Sequence, residues 1–438
     1  MEDYSRVPCP QIFNKAKLLS DYFHTRSLSH MVYSLLLIFV LLKTLSYTIH
    51  LSKMIFLIRK TNSTMKISQF KNPTERRLFL EKELQIRLEA INRAHVDNEK
   101  DIHCENFIGE TTLPLGVVGP LRIQNLELRM KDYYVPLATT EGALVASVNR
   151  GCKALTLSGG VKVNTHKIGV TRGPVFYTGS LQKNQEFYEW LNKNKRQISQ
   201  AAESTSSHLK FKKYDIKSVA DYVFVRFYFD TENAMGMNMA TIATQAIVDL
   251  IEKETGIECM SVAGNFDTDK KPAWLNFLNN RGFKTWAEGI IPEKTVQGIL
   301  KTTAEKIYEV WLAKCMIGSA MSGSLGFNAH FANVVAALFA ATGQDLAHVV
   351  EGSLGVTRAK IIKKGNLYIS VYMPSLMVGT IGGGTKLKTK QEALSIIGAK
   401  NSEEFAEVLT GTVLAGEISL LASLAQGTLA KVHKKLGR

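Results

Sequence analysis

The sequence predicts an α/β (α+β) fold, with a large mixed helical and sheet domain interrupted by a smaller inserted α/β domain. Three observations carry this. Strand-and-turn texture alternates with helical periodicity from residue 105 onward, a different, more charged texture runs from Gly179 to about Ile257, and the larger pattern resumes at Met260. At 438 residues the chain is long enough for two or three domains, and 45% apolar with 21% charged residues excludes wholesale disorder.

The elements follow in order. Residues 31–42, MVYSLLLIFVLL, and TLSYTIHL after Lys43 make a 21-residue apolar window, long enough to span a bilayer. Lys43 near its middle costs about 2.5–3.5 kcal/mol, which a snorkelling side chain reduces. No small-residue cleavage site follows, so the run reads as an anchor over 29–60 behind an N-terminal segment of 1–28. The net charge is +15, and residues 1–77 hold twelve Lys or Arg against four acids, or +8 of it, on both sides of the apolar run. Such a balance asks for an acidic partner such as anionic lipid, nucleic acid or a phosphorylated substrate.

A helix is expected over 73–96, within an N-terminal helical region of 61–120. Strands and turns follow over 105–123, a helix over 139–157 and strands over 161–178. The different texture brings a charged helix over 182–195, a polar stretch over 201–207, an alternating strand over 222–229 and a helix over 234–254. Helices over 292–314 and 328–343, a strand over 366–373, a turn over 379–385, and helices over 390–397 and 402–435 complete the chain. The large domain is expected at 121–173 and 262–438, with the insert at 174–261.

The most informative block is 318–345. Gly318, Ser319, Ala320, Ser322, Gly323, Ser324 and Gly326 leave little side-chain volume, so another backbone or an extended ligand can approach. Asn328, His330 and Asn333 then interrupt an apolar helical pattern with groups that need partners if buried. Lys270 and Lys271 stand before Pro272, where the pattern of a helix start places two cations against the helix dipole; a lysine held there can stabilise an oxyanion, and a solvated pair is the plainer reading. Glu141 after Thr139 and Thr140 looks like part of a helix cap; as an acid it would need burial or a neighbouring acid such as Asp345 to raise its pKa. His433 sits in the tail, where a mobile imidazole could donate a proton.

NAMGMNM at 233–239 opens a helix with Gly236 at its start, suited to a phosphate or to a tight turn, and Gly382, Gly383 and Gly384 expose backbone in the same way. No GxGxxG follows a strand and no Walker loop occurs. Cys9, Cys104, Cys152, Cys259 and Cys315 are widely spaced, which argues against structural zinc and a disulfide framework and for a reducing compartment; no metal is expected.

In order, ENFIGETTLPLGVVGPL, ATTEGALVASVNRGCKAL, GVTRGPV, NAMGMNM, GNFDTDKKPA, GSAMSGSLGFNAHFAN, ATGQDLAHVVEGS and VGTIGGGT resemble the motifs of the 3-hydroxy-3-methylglutaryl-coenzyme A (HMG-CoA) reductase family, in its class I form, over roughly residues 67–438. The resemblance implies reduction of HMG-CoA to mevalonate and CoA by two NADPH, without metal. It places Glu141, Lys270, Asp345 and His433 at catalytic positions: Lys270 on the oxyanion, His433 protonating the CoA thiolate, and Glu141, held protonated beside Asp345, serving the aldehyde step. It places Arg172, Lys271, Lys314 and Asn333 around the HMG carboxylate and CoA, Asp269 among the substrate-binding residues, and Ser147, Asn149 and Arg150 on the CoA side. A ferredoxin-like NADP-binding insert would hold the cofactor with Asn233, Ala234, Met235, Gly236, Met237, Asn238, Ser206 and Ser207, joined by Gly382, Gly383 and Gly384.

The chain departs from the family pattern at Asn233, where Asp is usual, and at Ala263, where Ser is common; Ser207 stands where animal enzymes carry Arg near the adenosine 2′-phosphate, so NADH is possible beside NADPH. The resemblance also implies a homodimer or dimer of dimers, built around 105–109. Together with the anchor it implies a membrane-bound protein with a cytoplasmic catalytic part, on the endoplasmic reticulum if eukaryotic, with membrane lipid but no nucleic acid as partner. The alternative is an inactive membrane-anchored homologue acting as a binding module; the four intact catalytic side chains favour the enzyme.

Overall fold

The computed structural model of this chain describes residues 104–125 and 127–428, with isolated positions at 72, 74, 75, 78, 82 and 434. The expected anchor, most of the helix expected over 73–96, and His433 lie outside the described residues. The chain divides into two units, Met1–Leu88 with Glu105–Ile108, and Glu89–Cys104 with Gly109–Arg438. In the first, Thr74, Glu75, Leu78 and Lys82 are helical, and the Glu75 amide donates to Asn72 Oδ1 at 2.9 Å, an N-cap contact.

The second unit is a mixed α/β body. Its described strands are β1 (Leu115–Gln124), β2 (Met130–Ala138), β3 (Val161–Arg172), β4 (Val175–Tyr177), β5 (Lys210–Val219), β6 (Tyr222–Asp230), β7 (Glu258–Ser261), β8 (Arg281–Ile291), β9 (Gly326–Phe327), β10 (Gly355–Ile362) and β11 (Asn366–Leu376). The sheet runs β7-β4-β6-β3-β8-β11-β10-β9, with β1 and β2 attached beside β3 and β5 on β6. Pairing is antiparallel except β1 with β3 and β9 with β10. Helices of eight residues or more are α1 (Leu144–Leu157), α2 (Leu181–Lys193), α3 (Lys195–Glu203), α4 (Met237–Thr255), α5 (Ala304–Trp311), α6 (Phe331–Thr342), α7 (Lys388–Ile397) and α8 (Ser402–Ala425).

Strand β3 serves two partners. Residues 162–169 pair with β8, and Val170, Thr171 and Arg172 pair with β6. The switch falls at a register shift beside Gly169, whose φ of 111° suits glycine and lets the strand turn away from β8. Beyond it lies a separate apolar core of Phe176, Phe187, Ile198, Val225, Phe227 and Ile247, distinct from the larger core around Leu121, Leu155, Val335, Val371 and Leu414. In this smaller part the connection is β4, α2 with α3, β5, β6, α4, β7, and the strand order is β7-β4-β6-β5.

Four strands stand in this part, where the sequence marked one alternating strand over 222–229 within the different texture; β4 and β7 are three and four residues long, too short to show alternation. The helix expected over 182–195 breaks at Asn194, and the first part of the polar stretch is the end of α3. The helix expected over 292–314 is also broken: Lys301 has φ 59°, and Thr303 starts α5 by accepting the Lys306 amide at 3.3 Å.

Helix α8 is the central element. It is long and apolar enough to cross a membrane, yet 83% of its most apolar window is buried, so it is a core helix. A Cβ on Gly151 would come within 1.8 Å of the Ala415 carbonyl oxygen, so α1 and α8 touch backbone to backbone. Leu409, Leu414, Ile418 and Leu421 are fully buried, each worth about 1.5–3 kcal/mol relative to exposure. The same helix buries Glu417, whose carboxylate accepts the Ala329 amide (2.8 Å), the His330 amide (2.7 Å) and the Thr357 hydroxyl (2.6 Å). Glu417 thereby fixes the start of α6.

Candidate active site

Lys270 does not sit at a helix start. The segment after Phe266 is a run of turns in which Thr268 and Lys270 have φ near 59° and 56°, and the nearest helical turn is Leu275–Leu278. Pro272 therefore does not open a helix, and the dipole argument for the two lysines fails. The left-handed turn is held from behind: the Lys270 amide donates to Glu351 Oε1 at 2.7 Å. It sends the Lys270 ammonium onto Asp345 Oδ2 at 2.9 Å.

Asp345 follows α6 through Gly343 and caps the next turn, accepting the Ala347 amide at 3.0 Å. Burial pushes its carboxyl up, but the Lys270 and Ala347 hydrogen bonds and the charges of His348 and Lys270 outweigh that and hold it below the usual range. Lys270 and Asp345 are both more than a third exposed.

A buried ionic network supports this pair. Arg281, at the start of β8 and without solvent exposure, bonds the equally buried Glu351, reaches Asp269 Oδ1 at 2.9 Å and donates to Thr171 Oγ1 at 2.8 Å. Arg172 Nη1 lies 3.3 Å from the buried Asp267 and 3.7 Å from Asp269, and its Nη2 donates to Thr241 Oγ1 at 2.6 Å. Asp269, His348 and Glu351 bring ligand atoms within 4.8 Å of one another, but the Arg281 guanidinium already bridges two of them. Lys271 is exposed and donates to the Asp269 carbonyl at 3.1 Å. Arg281, Glu351, His348 and Glu417 were not singled out from the sequence; the partners of Arg281 and Glu417 are distant in the chain, while His348 faces Asp345 and Glu351 three residues to either side as well as the distant Asp269.

Glu141 is placed differently. Helix α1 begins only at Leu144, after Ala143 at φ 75°, and Thr139 Oγ1 accepts the Glu141 amide at 3.0 Å in a local turn. The expected cap is thus absent and the carboxylate is exposed, accepting Asn333 Nδ2 from α6 at 2.8 Å. Among the described contacts the structure joins Glu141 to Asn333 and Asp345 to Lys270, rather than Glu141 to Asp345.

Glu141 and Asn333 line a cavity of about 1200 Å³, together with Lys314, Ser147 and the small residues 318–326. Lys314 is exposed on a π-helical turn, Leu312–Gly318. Ser147 bonds Ser419 of α8 at 2.9 Å, and Arg150 donates to the Ser419 carbonyl and to Ser423 Oγ, each at 2.6 Å. Asn149 accepts the Gly119 amide at 2.9 Å. Arg150 and Asn149 thus fasten α1 to its neighbours.

The expected cofactor residues fall on two adjoining loops. Ala234 bridges Ile381, and the Thr380 amide donates to the Asn233 carbonyl at 2.8 Å. The Asn233 side-chain oxygen accepts the Ser402 amide at 3.1 Å, at the start of α8. Gly236 begins the nineteen-residue α4 in the left-handed region with no side-chain cap, leaving its first amides unfilled by a side chain. Met235 is half-buried, Met237 is buried against Arg281, and Asn238 is exposed. A Cβ on Gly382 or Gly383 would meet nothing within 4 Å, while Gly384 packs on Gly343. Ser207 is exposed, and Ser206 Oγ accepts the His208 amide at 3.2 Å.

The family profile described as Hydroxymethylglutaryl-coenzyme A reductase matches residues 72–438. The chain belongs to that family. A 3-hydroxy-3-methylglutaryl-coenzyme A reductase of Methanothermobacter thermautotrophicus is 47% identical over 369 residues, covering 83% of this chain and 92% of that relative. The 3-hydroxy-3-methylglutaryl-coenzyme A reductase 1 of Dictyostelium discoideum is 38% identical, covering 83% of this chain and 68% of the relative. The class II 3-hydroxy-3-methylglutaryl-CoA reductase of Streptococcus pneumoniae, solved bound to NADPH in open conformations, aligns with TM-score 0.63 at 18% identity over 83% of this chain and 99% of that one. That likeness shows the reductase fold.

Proposed function

We infer that this chain is an HMG-CoA reductase, reducing HMG-CoA to mevalonate and CoA with two NADPH. The observation that carries the reading is the Lys270–Asp345 pair at 2.9 Å, held from behind by Glu351 within a chain that belongs to the reductase family from residue 72 to 438. The residues present fit the cofactor: α4 offers an N-terminus without a side-chain cap, and the open Gly382–Gly383 backbone lies close in the chain to the Ala234–Ile381 bridge. When bound, NADPH supplies the hydride for each of the two reductions.

Lys270 faces the thioester oxygen as it gains negative charge and stabilises it. Asp345 keeps the ammonium aimed. Expulsion of CoA as a thiolate then leaves an aldehyde, and His433 gives the thiolate its proton. In the second reduction Glu141 supplies the proton that turns the alkoxide into the alcohol. Asn333 orients Glu141; Lys314, Arg172 and Lys271 take up the HMG carboxylate and CoA, and Asp269 is a further substrate-binding residue.

The β-α-β-β-α-β connection with order β7-β4-β6-β5 supports a ferredoxin-like, NADP-binding insert at 174–261 inside a domain of 121–173 and 262–438. The class I form is supported by 47% identity to the Methanothermobacter relative against 18% to the class II structure. The apolar window at 31–51 with its basic flanks supports a membrane anchor. Exposed Leu115, Val117, Met130 and Tyr134 on β1 and β2 support a homodimer or dimer of dimers. No observation favours the inactive binding module. The test is HMG-CoA-dependent oxidation of NADPH: steady turnover is expected, and none by folded protein in either direction would remove the reading.

A further inference from the structure

His348 is a fully buried histidine directly behind the Lys270–Asp345 pair, inside the motif ATGQDLAHVVEGS but without a role assigned from the sequence. It lies in the short turn that Asp345 caps. Its Nδ1 is 3.1 Å from Glu351 Oε2. Its Nε2 is 3.6 Å from Asp345 Oδ2 and 3.8 Å from Asp269 Oδ1, and is a buried nitrogen without a hydrogen-bond partner. A buried, unpartnered polar atom costs about 1–3 kcal/mol, so its persistence beside the reacting pair asks for a reason.

Both ring nitrogens face carboxylate oxygens, which accept and do not donate when ionised. A neutral ring would turn a lone pair toward one of them; a ring with a proton on each nitrogen satisfies both edges after a closure of a few tenths of an ångström. The surrounding charges agree. The groups facing His348 are Asp269, Asp345 and Glu351, and these are met by Lys270 and Arg281, with Arg172 shared between Asp269 and Asp267. Three carboxylates thus face the ring, against Lys270 and Arg281 directly and Arg172 in part, while Asp267 is shared with the buried Arg226.

We propose that His348 is a positioning residue that, as an imidazolium, links Glu351 to Asp345 and so fixes the carboxylate that aims Lys270. Glu351 is then the common anchor, holding the Lys270 backbone through one oxygen and the His348 ring through the other. Asp345 Oδ2 is the atom that both Lys270 Nζ and His348 Nε2 face, at 2.9 Å and 3.6 Å, so the ring and the ammonium hold the same carboxylate oxygen.

This rests on the reductase reading, and wild-type turnover tests that reading separately. The experiment compares kcat and KM for HMG-CoA in the full chain with His348→Gln and His348→Leu, each checked by melting temperature. Gln keeps an amide donor for Asp345; Leu keeps volume but no donor. His348→Leu is expected to lose about a hundredfold in kcat, the scale of a small misplacement of a reacting group, with KM changed less than about threefold. His348→Gln is expected to recover most of that loss. A folded His348→Leu protein with wild-type kcat would overturn the proposal. So would losses in both variants that only follow a fallen melting temperature, or a folded His348→Gln protein no more active than His348→Leu.

Discussion

The two halves of the site are built on opposite plans. Around Lys270, every acid is met by one or more cations, Arg281 and Glu351 are fully buried, and the backbone itself is tied to a carboxylate. Around Glu141, one exposed carboxylate accepts a single amide donor at the rim of an open cavity. A charge that must stand ready for an oxyanion gains from fixed surroundings, because no reorganisation is then needed at the moment of reaction. A group that must gain and lose a proton needs access and few competing bonds. The contrast assigns electrostatic stabilisation to the first half and proton delivery to the second.

The largest effect expected from breaking this contrast is structural. Glu351→Ala removes the fully buried partner of Arg281, leaving it only the partly exposed Asp269 as a carboxylate partner, and also frees the Lys270 amide; it should cost about 3 kcal/mol in chemical denaturation, the low end of the scale for breaking a buried pair. Lys270→Ala should instead spare stability, since an ion pair this exposed contributes under about 1 kcal/mol, while lowering kcat by about 10²–10³. Glu141→Gln should leave stability within about 0.5 kcal/mol and release CoA while failing to reduce the aldehyde, which separate assays of thioester and aldehyde reduction would detect. If Glu141→Gln destabilised the protein as much as Glu351→Ala, the distinction between the halves would be lost.

The smallest effect concerns pH. Asp345 is held below its ordinary range, so its stabilisation is complete above the unfolded value near 3.8 and is lost only as pH falls through the lower folded value. Half-buried Glu407 on α8 is the opposite case: burial and the neighbouring Glu403, Glu404 and Glu127 push it up to about 7. It lowers stability as pH rises from the unfolded value toward about 7. Glu407→Gln should therefore raise the melting temperature at pH 8 and change little at pH 5, with a gain of at most about 1 kcal/mol after solvent screening.

Much of the fold was legible because it rests on repetition. The apolar run of α8, the alternation in β6 and the glycine-rich turn before α7 are local patterns, and each begins close to where the sequence places it, although α8 ends at Ala425 where the expected helix ran on to 435. What was not legible depends on single residues meeting across the chain. Pro272 after two lysines reads as a helix start, yet the bond from the Lys270 amide to Glu351, eighty-one residues on, belongs to a left-handed turn. Thr139 before Glu141 reads as a cap, but its hydroxyl closes a turn and α1 begins three residues after Glu141. The 292–314 segment has continuous helical periodicity, which carries no signal for a break at Lys301. His348 and Glu351 lie inside the motif ATGQDLAHVVEGS and Arg281 in none, but nothing in the motif gives them a role; only the folded chain reveals that all three back the lysine.

The account turns on Lys270 as the fixed positive charge of a working reductase. The most direct measurement is NADPH consumed per CoA released, made on the full chain and on Lys270→Ala with matched melting temperatures. The account predicts two NADPH for each CoA in the wild-type protein and loss of both reductions, with fold intact, in the variant. Unchanged turnover by folded Lys270→Ala would contradict it.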